Sequence, residues 1–80
     1  MYKKIFNHLF KCIKKNGGLP PYVEDEIEQC EDFEDKAKTL ISYCCDPSIC
    51  GIDKMTKILE EKFDTECIET LIEECADNYF

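Results

Sequence analysis

Residues 52–79 read IDKMTKILEEKFDTECIETLIEECADNY, and their apolar side chains follow a helical repeat on two different stripes. The first stripe comprises Ile52, Met55, Ile58, Leu59 and Phe63. The second comprises Cys67, Ile68, Leu71, Ile72, Cys75 and Tyr79. On one continuous helix the second stripe would lie about half a turn around from the first. A break near residues 63–65, with Asp64 or Thr65 as the N-cap, lets both stripes face one core, so we predict two helices.

The N-terminal segment, residues 2–15, has the pattern of a basic amphipathic helix. Its apolar side carries Tyr2, Ile5, Phe6, Leu9, Phe10, Cys12 and Ile13, and its five lysines lie on the other side with His8, which we expect to be solvated. Gly17 or Gly18 is expected to end the helix. Because so small a chain needs every apolar stripe for its core, we expect this helix to pack inside, with docking on a membrane surface as the alternative.

The middle segment, residues 22–44, is predicted to form one long helix. Its apolar stripe comprises Val23, Ile27, Cys30, Phe33, Ala37, Leu40, Ile41 and Cys44. No segment shows the strict alternation of a strand. The sequence therefore predicts a single all-α domain over residues 1–80, a compact bundle of about four helices near 2–15, 22–44, 52–63 and 65–78.

Length and charge exclude several classes of function. Eighty residues are too few for a multidomain enzyme, and no apolar run approaches the roughly 20 residues of a membrane span. The net charge of −8 is divided unevenly, because residues 1–18 carry five Lys and no acid, whereas residues 19–80 carry five Lys and all 18 acids. An acidic chain without arginine is not expected to bind nucleic acid directly, and it suits a basic partner.

Acidic residues crowd one side of the middle segment. The candidate partner-binding residues are Glu24, Asp25, Glu28, Glu31, Asp32 and Asp35. Like charges three or four residues apart on a helix repel each other, and a helix built only for solubility would have lysines among them. We interpret this face as a binding surface for a larger protein with a basic surface. A merely solvated face is the alternative.

Seven cysteines form the second unusual feature of the composition. The count is odd, and no Cys-x-x-Cys redox motif occurs. His8 and Cys12, four residues apart on one helix, could join Cys45 and Cys50 in a zinc site, but the paired spacing of zinc knuckles is absent.

Without a catalytic motif or a phosphate-binding loop, we expect no metal, no cofactor and no enzymatic activity. Because the N-terminus lacks a signal-peptide pattern, we expect a cytoplasmic protein, with secretion as the alternative.

Part of the chain resembles a known family. The segments 51–55 (GIDKM) and 58–64 (ILEEKFD), followed by Ile68, Ile72 and Cys75, resemble the last two helices of amoebapore-type saposin-like proteins. The segment 40–44 (LISYC) extends the similarity, which covers residues 40–75. The resemblance implies a secreted, all-helical, disulfide-stapled protein that acts on membranes or receptors.

Charge, length and motifs together favour a small acidic helical interaction module. One form of such a module is an inhibitor that covers a basic surface of a larger protein, for example a nucleic-acid-binding surface. The secreted saposin-like protein is the alternative.

The state of the thiols distinguishes these two interpretations. We expect alkylation without reductant to label mostly free thiols, up to all seven, as measured by intact mass, because a cytoplasmic protein keeps its cysteines reduced. Three bridges and a single label would instead support the secreted, disulfide-stapled alternative.

Overall fold

Five α-helices follow one another along the chain. The computed structural model describes residues 2–79 and the side chains of residues 2–75. The helices are α1 Tyr2–Lys15, α2 Pro21–Gln29, α3 Phe33–Cys44, α4 Ile52–Glu60 and α5 Thr65–Tyr79. Within residues 2–79 there is no strand, which confirms the predicted all-α class. The number of helices was predicted as about four and is five within the described residues.

Helix α3 lies at the centre of the bundle and packs against all four other helices. Its inward-facing residues Ala37, Leu40, Ile41 and Cys44 are completely buried. The other completely buried large side chains, which come from all four remaining helices, include Ile5, Leu9, Val23, Met55, Leu59 and Ile68. Among residues 2–75 no polar or charged side chain is buried. The core is therefore apolar, and α3 supplies its axis.

Helix α1 packs into the bundle as its apolar stripe predicts. Ile5 and Leu9 are completely buried, Phe6 is 8% exposed, and the helix packs against α3 and α4. The amide of Gly18 donates to the carbonyl of Ile13 at 3.0 Å, which ends the helix at the predicted glycines. The apolar stripe of α1, which could have docked on lipid, is thus buried in the core. No helix described here is long and apolar enough to cross a membrane.

The predicted break between the last two helices is confirmed. The carboxylate of Asp64 accepts a hydrogen bond from the amide of Glu66 at 2.9 Å. The backbone carbonyl of Asp64 accepts a second hydrogen bond, from the amide of Ile68, at 3.0 Å, so Asp64 caps α5. Helix α4 ends at Glu60, three residues before the predicted end. Two residues of the predicted stripes, Ile52 and Cys67, are exposed rather than buried, and the side chain of Tyr79 lies outside the described residues.

The long helix predicted over residues 22–44 is wrong, because the chain turns at residues 30–32. Cys30 adopts an extended backbone with φ −69° and ψ 137°, which ends α2. Asp32 is also extended, and its Oδ1 accepts a hydrogen bond from the amide of Asp35 at 2.8 Å, which starts α3. A straight helix would extend Val23 and Ile27 beyond the bundle, whereas the turn lets α2 fold back and bury both against α3.

Truncation of the α1 stripe is expected to unfold the domain. Replacing Leu9 or Phe6 by alanine should lower the free energy of unfolding by about 2–5 kcal/mol, because each change leaves a cavity in the core. Chemical denaturation followed by circular dichroism measures this loss, and Lys11→Ala on the exposed face is the matched control. An unchanged melting temperature combined with lost liposome binding would instead identify α1 as a membrane-docking arm.

Candidate protein-interaction surface

The six predicted partner-binding acids fall on two helices and the turn between them. Glu24, Asp25 and Glu28 belong to α2, Glu31 and Asp32 form the turn, and Asp35 lies in the first turn of α3. Five of the six are exposed, and Glu24 is half-buried. They therefore do not form the continuous face of one helix that the sequence predicted.

Two of these acids already have structural partners. The carboxylate of Glu24 lies 3.2 Å from the ammonium of Lys14 and so joins α2 to the basic helix α1. Such a partly exposed ion pair contributes at most about 1 kcal/mol to stability. Asp32 caps α3 through its bond to the amide of Asp35. A partner would have to compete with both interactions.

The remaining four acids gather around the α2–α3 turn. The thiol of Cys30 lies 3.6 Å from Oγ1 of Thr39, which holds the end of α2 against α3. Thr39 lies one helical turn after Asp35, so Asp35 shares the ridge of α3 that faces this turn. The carboxylates of Asp25, Glu28, Glu31 and Asp35 form no ion pair with any described side chain. We call these four residues and Asp32 the acidic turn.

The aromatic ring of Phe33, which the apolar stripe predicted to be in the core, lies partly exposed beside the acidic turn. Phe33 follows Asp32 directly and is 38% exposed. Its ring centroid lies 6.1 Å from that of Phe6, and the ammonium of Lys3 lies 5.4 Å from it. The helix break turns Phe33 outward. An aspartate followed by acids within one helical turn, as Asp32 is followed by Glu34 and Asp35, is typical of a helix start and is the sequence signal for this break.

A second contact fixes α2 on α3. The hydroxyl of Tyr43 donates to the carboxylate of Glu26, and the rings of Tyr43 and Tyr22 meet edge to face with centroids 5.9 Å apart. Tyr22 is itself 59% exposed. Because α2 is held at both ends, the acidic turn is presented on a fixed backbone.

His8 has a structural role rather than the solvated position predicted for it. Its Nε2 donates to the carbonyl of Ile58 at 3.0 Å, which leaves Nδ1 facing the thiol of Cys12 at 4.0 Å. Its ring also meets that of Phe63 with centroids 6.0 Å apart. His8 thereby joins α1 to α4. No group of three or more potential ligands among the described residues is arranged to hold a metal ion.

No protein-family model, curated protein or solved structure matches the chain.

The capping role of Asp32 can be separated from its charge. We expect Asp32→Ala to lower the free energy of unfolding by about 0.5–2 kcal/mol, because the amide of Asp35 loses its acceptor. Asp32→Asn should remain close to the wild type, since asparagine caps equally well without the charge. Thermal unfolding of both variants, with Glu31→Gln as the exposed control, measures the difference. Equal losses in the two Asp32 variants would contradict a capping role.

Proposed function

We propose that the protein is a small acidic interaction module that uses its acidic turn to bind a larger protein with a basic surface. The observation that carries this proposal is the set of carboxylates of Asp25, Glu28, Glu31 and Asp35, which are exposed and unpaired within the described residues. Charges of one sign held on a fixed backbone steer a partner of opposite charge and set its orientation.

The neighbouring aromatic ring adds a contact of a different kind. Interface cores are enriched in aromatic residues, and polar groups surround them. Phe33 is partly exposed next to the carboxylates. A partner with lysines or arginines around a small apolar depression would match both features. The acidic turn therefore offers more than a diffuse negative field.

Basic surfaces of this kind are common on proteins that bind nucleic acid, where they contact phosphates. A row of carboxylates can occupy the same lysines and arginines. An inhibitor that covers such a surface is accordingly the form of the proposal that we favour, and the module itself would not bind nucleic acid.

The secreted saposin-like protein is the competing proposal. A lipid-binding protein needs a large accessible apolar surface. Among the described side chains, the exposed large hydrophobic residues are Tyr22, Phe33 and Ile52, which belong to three different helices. The apolar stripe of α1 is already buried against α3 and α4. These observations favour binding of a protein over binding of a lipid surface.

Charge reversal on the acidic turn tests the proposal. We expect the triple variant Asp25→Lys, Glu28→Lys and Glu31→Lys to lose capture of the partner, while its helicity remains that of the wild type. Asp32 and Asp35 stay in place, because the first caps α3 and the second lies where the helix dipole favours an acid. The measurement compares affinity capture by wild type and variant, then titrates the purified captured protein against each.

A matched variant controls for net charge alone. Glu60→Lys, Glu69→Lys and Glu73→Lys make the same charge change on exposed positions of α4 and α5. We expect this control to keep most of the binding and to weaken it only through the long-range field. Duplex DNA should displace the module from its partner if the covered surface binds nucleic acid. Equal loss of binding in both triple variants would refute a specific role for the acidic turn.

A further inference from the structure

Four of the seven cysteines meet at the end of α3. Cys44 and Cys75 are 0% and 1% exposed, Cys45 is 3% exposed, and Cys50 is half-buried. Helix α5 is joined to α3 here by the hydroxyl of Ser42, which donates to the carbonyl of Cys75 at 3.4 Å. Cys44 and Cys45 are neighbours in sequence, and the fold adds Cys50 beside Cys44 and Cys75 beside Cys45.

The loop between α3 and α4 holds Cys50 against Cys44. The amide of Gly51 donates to the carbonyl of Cys44 at 2.9 Å, and the amide of Cys50 donates to that of Asp46 at 3.0 Å. Gly51 has a φ of 94°, a conformation that glycine adopts without strain. With the loop held in this way, the thiols of Cys44 and Cys50 lie within hydrogen-bonding reach of each other.

The thiols of this cluster affect one another's pKa values. Burial raises the pKa of Cys44, and the neighbouring thiols of Cys50 and Cys45 raise it further. Burial likewise raises the pKa of Cys75 to about 11, with a second contribution from Cys45. Burial also raises the pKa of Cys50, but the ammonium of Lys54 and the Cys44 thiol act in the opposite direction. The ammonium of Lys38 likewise opposes the rise for Cys75, but Cys75 is buried whereas Cys50 is only half-buried.

An open groove leads from solvent to Cys50. The groove has a volume of about 570 Å³, and its lining includes Cys45, Cys50, Ile52 and Lys54. Cys44 does not line it and is completely buried, whereas Cys50 is half-buried. A small reagent that enters the groove therefore meets Cys50 before it meets Cys44.

From this arrangement we infer that Cys50 and Cys44 form a reversible disulfide, made by exchange with a low-molecular-weight disulfide such as glutathione disulfide. Cys50 is the attacking thiol, and Cys44 is the resolving thiol. Lys54 beside the groove favours both the Cys50 thiolate and the approach of an anionic disulfide.

The exchange proceeds in two balanced steps. The thiolate of Cys50 attacks one sulfur of glutathione disulfide, forms a mixed disulfide and releases one glutathione thiolate. Cys44 loses its proton to that thiolate and attacks Sγ of Cys50, which releases the second glutathione. Two protein thiols are oxidised to one disulfide, and one glutathione disulfide is reduced to two glutathione thiols.

The test uses the reduced full-length chain incubated with glutathione disulfide without oxygen. We expect alkylation and intact mass to show two fewer labelled thiols and no retained glutathione. Acid cleavage of the Asp46–Pro47 bond, which lies between the two cysteines, should leave the halves joined until reductant is added. Because attack requires a thiolate and the pKa of Cys50 is raised, the rate should increase about tenfold per pH unit from pH 7 to 9.

Single variants assign the two thiols. Cys44→Ala should retain one glutathione on Cys50, and Cys50→Ser should leave the halves separable, while Cys67→Ser, at an exposed position, should behave as the wild type. Lys54→Gln should slow the exchange several-fold compared with Lys57→Gln. Cys50 is only half-buried, so its variant should keep wild-type helicity. Joined halves in Cys50→Ser, or stable glutathione adducts on the wild type, would overturn the proposal.

Discussion

Burial of helix α3 is the constraint on which the rest of the structure depends. Among the described helices, α3 is the one that packs against all four others, and its inward-facing Ala37, Leu40, Ile41 and Cys44 are completely buried. Each large apolar side chain buried in this way contributes about 1.5–3 kcal/mol. The other four helices each have an apolar stripe and pack against α3, and α4 packs in addition against α1 and α5. A small domain has little net stability, so loss of this contact affects the whole fold.

The two chemically unusual regions lie at opposite ends of this helix. At its start, the carboxylates that would bind a basic partner surround the capping residue Asp32. At its end, Cys44 and Cys45 meet Cys50 from the following loop and Cys75 from α5. Because α3 is held rigidly by its burial, both sets of groups have fixed positions. If the acidic turn binds a partner as proposed, its backbone loses little conformational entropy, and the thiols of Cys44 and Cys50 are neighbours without rearrangement of the core.

Charge is unevenly distributed among the helices, because the charged residues of α1 are all lysines and those of α2 and α5 are all acids, whereas α3 and α4 carry both. The five lysines of residues 1–18 belong to α1, and Lys14 joins this helix to Glu24 of α2. Lys3 also lies over the ring of Phe33, next to the acidic turn. The basic helix therefore partly neutralises the acidic part of the chain, whereas the carboxylates of Glu28, Glu31 and Asp35 form no ion pair among the described residues. The acidic turn is thus one exposed negative surface of the chain, and α5 exposes further acids at Glu66, Glu69, Glu73 and Glu74.

The sequence by itself determined the helical class, the burial of Phe6 and Leu9, and the break at Asp64, because each follows from local periodicity and capping. It did not reveal the break at residues 30–32, since the apolar stripe continues in phase through Cys30 and Phe33. Only the packing of α2 back onto α3 decided that point, and with it the outward position of Phe33 and the capping role of Asp32. The meeting of Cys44, Cys50 and Cys75 was likewise decided by tertiary structure, because it joins residues from different elements that no spacing along the chain relates. Local patterns fix which residues face inward, whereas the contacts between helices fix which of them become neighbours.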